Sequence, residues 1–174
     1  MLTAAIVVAV VLAALFAYAA TRPDQFRIER SAVIKASPEK IFAYIDDFHR
    51  WPAWSPWEKI DPALKRSYSG PQSGKGAVYG WEGNSKVGSG RMEITESAAP
   101  SKVVIKLDFL KPFEAHNTAE FTLSPGVQGT SVTWAMFGPS PFVSKLMGIF
   151  FNMERMVGAQ FGQGLANLKA ITET

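Results

Sequence analysis

Eleven apolar residues near the C-terminus recur mostly at steps of three and four: Phe142, Leu146, Ile149, Phe150, Met153, Met156, Val157, Phe161, Leu165, Leu168 and Ile171. That period predicts one amphipathic helix of about 30 residues, with Ser140-Pro141 as its cap and first turn. A stripe this long needs an apolar surface of similar length to cover it. The chain ahead of it must supply that surface.

It does so as strands. Gln25 to Lys35 alternates, with Phe26, Ile28, Ala32 and Ile34 on one parity and Arg27 and Glu29 between them. Ser37-Pro38 then reads as N-cap and first position of a short helix, whose apolar face carries Ile41, Phe42 and Ile45. Asp46 and Asp47 at its end are expected to face water. From Lys65 to Phe137 about six short alternating runs follow, separated by glycine, proline and asparagine turns. In "KVVIKLDF" Val103, Ile105, Leu107 and Phe109 share a side; in "NTAEFTL" Ala119, Phe121 and Leu123 do; in "TSVTWAMF" Val132, Trp134 and Met136 do. Sequential strands with one polar face predict an antiparallel sheet that is wet on one side. The expected architecture is α+β, one curved antiparallel sheet wrapped around a long C-terminal helix.

The N-terminus carries a different signal. Leu2 to Ala20 has no charge and no proline. As a helix it would span about 28 Å, close to the ~30 Å hydrocarbon core. Its nine Leu, Ile, Val and Phe residues favour insertion by about 3–5 kcal/mol. Residues 1–21 are therefore expected to be a single-pass transmembrane anchor, with a cleaved signal peptide as the alternative, since Ala17-Tyr18-Ala19 fits an A-x-A site. Arg22, Arg27, Arg30 and Lys35 follow the segment, and the positive-inside rule then favours a cytoplasmic domain.

Composition excludes several functions. There is no cysteine, so disulfides, thiol catalysis and thiolate metal sites are excluded. The net charge of +3 is small and scattered. No basic run with interleaved aromatics argues for nucleic acid.

The element order, together with "SPEKIFAYIDDFHRWPAWSPWEK", "GAVYGWEG", "GRMEITES" and the terminal helix, resembles the START-like, helix-grip superfamily (SRPBCC). Within it the chain is similar to membrane-anchored bacterial proteins of polyketide cyclase/dehydrase and lipid-transport type. The resemblance covers about residues 25 to 172 within a domain drawn at 25–174. It implies a cavity between sheet and helix that holds a hydrophobic or amphipathic small molecule, lipid-like or aromatic. Some relatives are enzymes; others are carriers or sensors.

No catalytic constellation is present. The sequence has no G-x-S-x-G elbow, H-E-x-x-H or P-loop. "GKGAVYG" leads into a strand, so it reads as a turn rather than a phosphate cradle. His49 and His116 show no spaced acidic partner. Glu58 and Glu82 each follow a tryptophan, and are expected at a wet edge rather than as buried acids. No metal or cofactor is expected. The inward parity supplies the candidate ligand-binding residues Trp81 (or its neighbour Tyr79), Met92, Ile94, Leu107, Phe109, Phe121, Trp134 and Met136 from the strands. The helix adds Phe150, Met153, Val157 and Phe161, and the methionines suit an adaptable wall. Gly148, Gly158, Gly162 and Gly164 in that helix either allow close approach to the sheet or leave room for a ligand.

Trp54 and Trp57 complete the candidate set. They belong to "HRWPAWSPW", His49 to Trp57, where Pro52 and Pro56 forbid a regular helix or central strand. Such a stretch can seal the core, contact a ligand as a lid, or dip into a membrane interface, as can "LKPF", Leu110 to Phe113. Three functions stay open. One is membrane-tethered ligand binding. Another is a cyclase or dehydratase, which requires Glu58, Glu82 or His116 to project into the cavity. The last is a protein-interaction module with a collapsed core. The oligomeric state is not legible.

Overall fold

A computed structural model describes residues 1–174. Helix α1 (Leu2–Ala20) is almost wholly exposed and is long and apolar enough to cross a membrane. The domain follows as β1 (Gln25–Ile34), α2 (Pro38–Ile45) and two 3-10 turns (Phe48–Ala53 and Pro56–Lys59). Then come β2 (Lys65–Ser69), β3 (Val78–Glu82), β4 (Ser89–Ala98), β5 (Lys102–Lys111), β6 (Ala115–Gly126) and β7 (Gly129–Pro139). Two helices end the chain, α3 (Phe142–Phe150) and α4 (Met153–Thr172).

All seven strands form one curved antiparallel sheet in the order β1-β7-β6-β5-β4-β3-β2. Successive strands from β2 to β7 pair as neighbours, and β1 returns to close beside β7, with Ile28 opposite Met136. The alternation behaves as the pattern requires. Val103, Ile105, Leu107, Phe121, Leu123, Val132 and Trp134 are buried on the concave face. Ser37 caps α2, its hydroxyl accepting from the Lys40 N–H at 3.3 Å, and Ile41, Phe42 and Ile45 are buried beneath it.

Helix α4 lies in the concave face and buries Phe161, Leu165 and Leu168. Gly164 permits this: a Cβ there would lie 2.7 Å from Trp134 Cζ3 and 3.2 Å from Pro56 Cδ. Trp134 instead stacks on Phe161 with centroids 4.2 Å apart. Gly158 gives passage to the Arg30 guanidinium, which reaches Glu154 at 2.8 Å. A Cβ added at Gly148 or Gly162 would meet no atom of another element within 4 Å.

The terminal stripe is not one helix. Phe151 is extended (φ −119°, ψ 119°), and Asn152 starts α4 by accepting from the Arg155 N–H at 2.9 Å. An asparagine N-cap with Glu154 in the next turn is a start signal, and it outweighs the continuing apolar period. Ser140 does not cap α3 either. Pro141 holds that position, and the Ser140 N–H donates to the Asp24 carbonyl at 2.7 Å.

Candidate functional site

Sheet, α3 and the first half of α4 enclose a cavity of about 1100 Å³. Volume remains there because the sheet curls around a single helix whose near end is broken, so side chains fill only the deep part. A collapsed core would leave no such hollow.

The deep wall is built by Met92 and Leu107 from β4 and β5, Trp134 and Met136 from β7, and Val157 and Phe161 from α4. Trp57, Trp81 and Phe109 form one side and are only half-buried. Phe150 and Met153 belong to the rim rather than the interior, 68% and 52% exposed, because the kink after α3 turns them outward. Trp54, Ile94 and Phe121 are off the wall: each is fully buried in the core. Tyr79, Ser55 and Ala119 also line the cavity. Tyr79 and Trp81 share a strand parity, so both face inward.

The tryptophan stretch does two jobs. The Trp51 indole N–H donates to the Ile45 carbonyl at 2.9 Å and that of Trp54 to the Tyr44 carbonyl at 3.1 Å. These carbonyls lie at the end of α2, where intrahelical donors run out. Both indoles meet Phe121 and Trp134 edge-on, with centroids between 5.5 and 6.3 Å. Trp54 thus seals the core, Trp51 does so from the cavity wall, and Trp57 lies 5.5 Å from Trp134 and 5.9 Å from Phe161 on the open side.

Glu58 corrects the expectation of a wet carboxylate. Its side chain is buried on the cavity wall. The Tyr79 hydroxyl donates to one oxygen at 2.7 Å and Arg66 Nε to the other at 2.6 Å. Burial, then this bond to Glu58, pushes the Tyr79 phenol well above its ordinary pKa. The tripeptide run Trp57-Glu58-Lys59 gives no hint of the pairing, since Arg66 and Tyr79 come from other elements.

His116 also has an acidic partner, across the ladder instead of along the sequence. It stands opposite Asp108, and Nδ1 is 2.7 Å from Oδ1. Glu114 lies 3.3 Å from Nε2. The Asp108 hydrogen bond raises the His116 pKa. Burial alone raises that of Asp108, but His116 and Lys106 more than offset it and hold it low. His116 sits at the rim and is largely exposed, while Asp108 is buried and off the cavity wall. His49 pairs with Asp47 at 3.0 Å and stacks on Tyr68, away from the cavity. Asp46 and Asp47 are not simply solvated: Asp46 accepts from Ser97 at 2.7 Å, and buried Asp47 caps the first 3-10 turn. Glu82 is exposed and off the wall. No group of three or more His, Cys, Asp or Glu is placed to hold a metal.

Solved structures share this fold. Protein CV1439 from Chromobacterium violaceum matches with a TM-score of 0.60 and 14% identity, over 88% of this chain and 99% of its own. The Aha1 dimer from Colwellia psychrerythraea matches with a TM-score of 0.61 and 18% identity, over 85% and 96%. The di-domain aromatase/cyclase StfQ of the steffimycin biosynthetic pathway matches with a TM-score of 0.64 and 13% identity, over 86% of this chain and 51% of StfQ. At such identities the likeness is one of fold. No curated protein sequence matches the chain. The family described as polyketide cyclase / dehydrase and lipid transport matches residues 25–173, nearly everything that follows α1. The chain therefore belongs to that family, with the helix-grip fold of the START-like superfamily.

Proposed function

We propose that this protein is a membrane-tethered binder of a hydrophobic or amphipathic small molecule, lipid-like or aromatic, held between the sheet and α4. The observation that carries the reading is the cavity itself, about 1100 Å³ with a largely apolar wall. That size accommodates a drug-sized or single-chain lipid molecule, and an apolar wall with a few polar groups is the usual character of such sites. Glu58 and Tyr79 supply the polar contact. Helix α1 supplies the tether. The candidate ligand contacts are the wall residues, among which Trp81 stacks on Tyr79 with centroids 6.1 Å apart.

The test is native mass spectrometry of the full chain extracted in mild detergent. An adduct of discrete mass, displaced by adding a fatty acid, supports binding. Repeated gentle preparations without any adduct, and without uptake of added fatty acid or polycyclic aromatic, reject it.

A cyclase or dehydratase reading keeps one supporting observation: Glu58 and His116 both reach the cavity lining. Against it, both Glu58 oxygens already accept hydrogen bonds from Tyr79 and Arg66, and His116 lies at the rim. Turnover of a polyketide-like substrate that is lost in Glu58→Gln would favour this second reading.

A further inference from the structure

The cavity opens beside the tether. Arg22 and Pro23, directly after α1, lie on its wall. Only the four residues Thr21–Asp24 separate α1 from β1, a reach of about 14 Å at full extension. Helix α3 is bound both to α1 and to this segment. Phe16 of α1 stacks on Phe142 with centroids 5.7 Å apart, and Lys145 Nζ lies 2.5 Å from Asp24 Oδ1.

Around this mouth the surface is apolar where a soluble domain would be polar. Phe113 at the β5–β6 tip, Val143 and Met147 on α3, and Phe150, Phe151 and Met153 at the kink are all exposed. Four of them, Phe113, Phe150, Phe151 and Met153, also line the cavity, so the patch is continuous with its wall. Exposed apolar surface of this extent marks a partner. Arg22, Lys86 and Lys111 stand on the same rim, exposed, where ammonium and guanidinium groups reach headgroup phosphates while their stems stay in the apolar layer.

We infer that this rim is a bilayer-docking collar: α3 and the Phe113 tip lie in the interface of the membrane that holds α1, and the cavity takes an acyl-chain lipid directly from the adjoining leaflet. The bilayer is favoured as occupant because the anchor fixes the collar within a few residues of it, and because the apolar patch and its cations run on from α1. The inference rests on the tethered-binder reading and adds the source of the ligand and its route.

The test uses the full chain in vesicles of phosphatidylcholine and phosphatidylglycerol. The chain has no cysteine, so Val10→Cys, Phe113→Cys, Met147→Cys and Val127→Cys each accept a single fluorophore. Val127 lies past the far end of β6 from Phe113, about 40 Å away by strand rise. Nitroxide carried on the acyl chains is the quencher. The expected result is loss of emission at 113 and 147 comparable to that at 10, with emission at 127 retained. Quenching at 10 alone overturns the collar and leaves the anchor standing. Quenching at none of the four overturns both. Lipid retained after detergent extraction reports the cavity separately, so the collar and the binding reading can fail independently.

Discussion

The hydroxyl of Tyr79 donates to Glu58 across 2.7 Å on the wall of the cavity. Burial and that bond keep the phenol protonated in the folded domain at pH values where the unfolded chain ionises. A folded-state pKa raised above the unfolded value means stability that is full below about pH 10 and lost above it. Tyr79→Phe should therefore flatten the alkaline limb of the stability profile by one proton, about 1.4 kcal/mol per pH unit. At neutral pH it should cost about 1–3 kcal/mol, because Glu58 loses a donor. Denaturant unfolding in mild detergent between pH 8 and 11 measures both.

Trp54 and Trp57 should separate on substitution although they are three residues apart. Trp54 is fully buried and its N–H caps the Tyr44 carbonyl. Trp54→Phe should cost about 2–4 kcal/mol from the void and the orphaned carbonyl together. Trp57 is only partly buried, against Trp134 and Phe161. Trp57→Phe should cost less than about 1.5 kcal/mol. Unfolding midpoints of the two variants decide the matter.

The glycines of α4 should respond with opposite signs. Gly162 is exposed with nothing within 4 Å of a new Cβ, whereas Gly164 faces Trp134 and Pro56. Gly162→Ala should stabilise by about 0.5–1 kcal/mol through helix propensity. Gly164→Ala should destabilise by about 1–3 kcal/mol through overpacking. Equal effects in thermal unfolding would contradict the seating of α4.

Filling the hollow from its wall should block uptake, whereas trimming the core away from the wall should not. Ala119 lies on the cavity wall, while Ile94 lies off it. Ala119→Phe should weaken uptake of a fluorescent fatty acid on the order of tenfold or more. Ile94→Val should leave uptake unchanged and cost about 0.5–1.5 kcal/mol of stability. Fluorescence titration of the two variants makes the comparison.

The strands were readable because their period is short and local: Val103, Ile105 and Leu107 declare a face without reference to any other element. The Ser37-Pro38 start of α2 was equally local. The kink at Phe151-Asn152 was not, because the apolar spacing continues through it and only the Asn152 cap competes with the period. The buried state of Glu58 and the His116–Asp108 pair depend on which strand lies opposite which. Register across β5 and β6 brings Asp108 to His116, and no spacing along the chain announces that. The candidate wall was legible as a parity, so it included Ile94 and Phe121, which the sheet buries too deeply to reach the cavity. Parity tells which side a residue faces, not how far along the concavity the side chains stop filling space.

The two indoles tied to the last carbonyls of α2 have one more effect. Each ring is held by a directional bond at one edge and by aromatic neighbours elsewhere. Hence the part of the hollow that Trp51 lines is held in one shape, whereas Met153 and the phenylalanines at the exposed entrance are free to change rotamer. A guest of the kind proposed would meet a fixed contour at the Trp51 ring and a yielding one at the entrance.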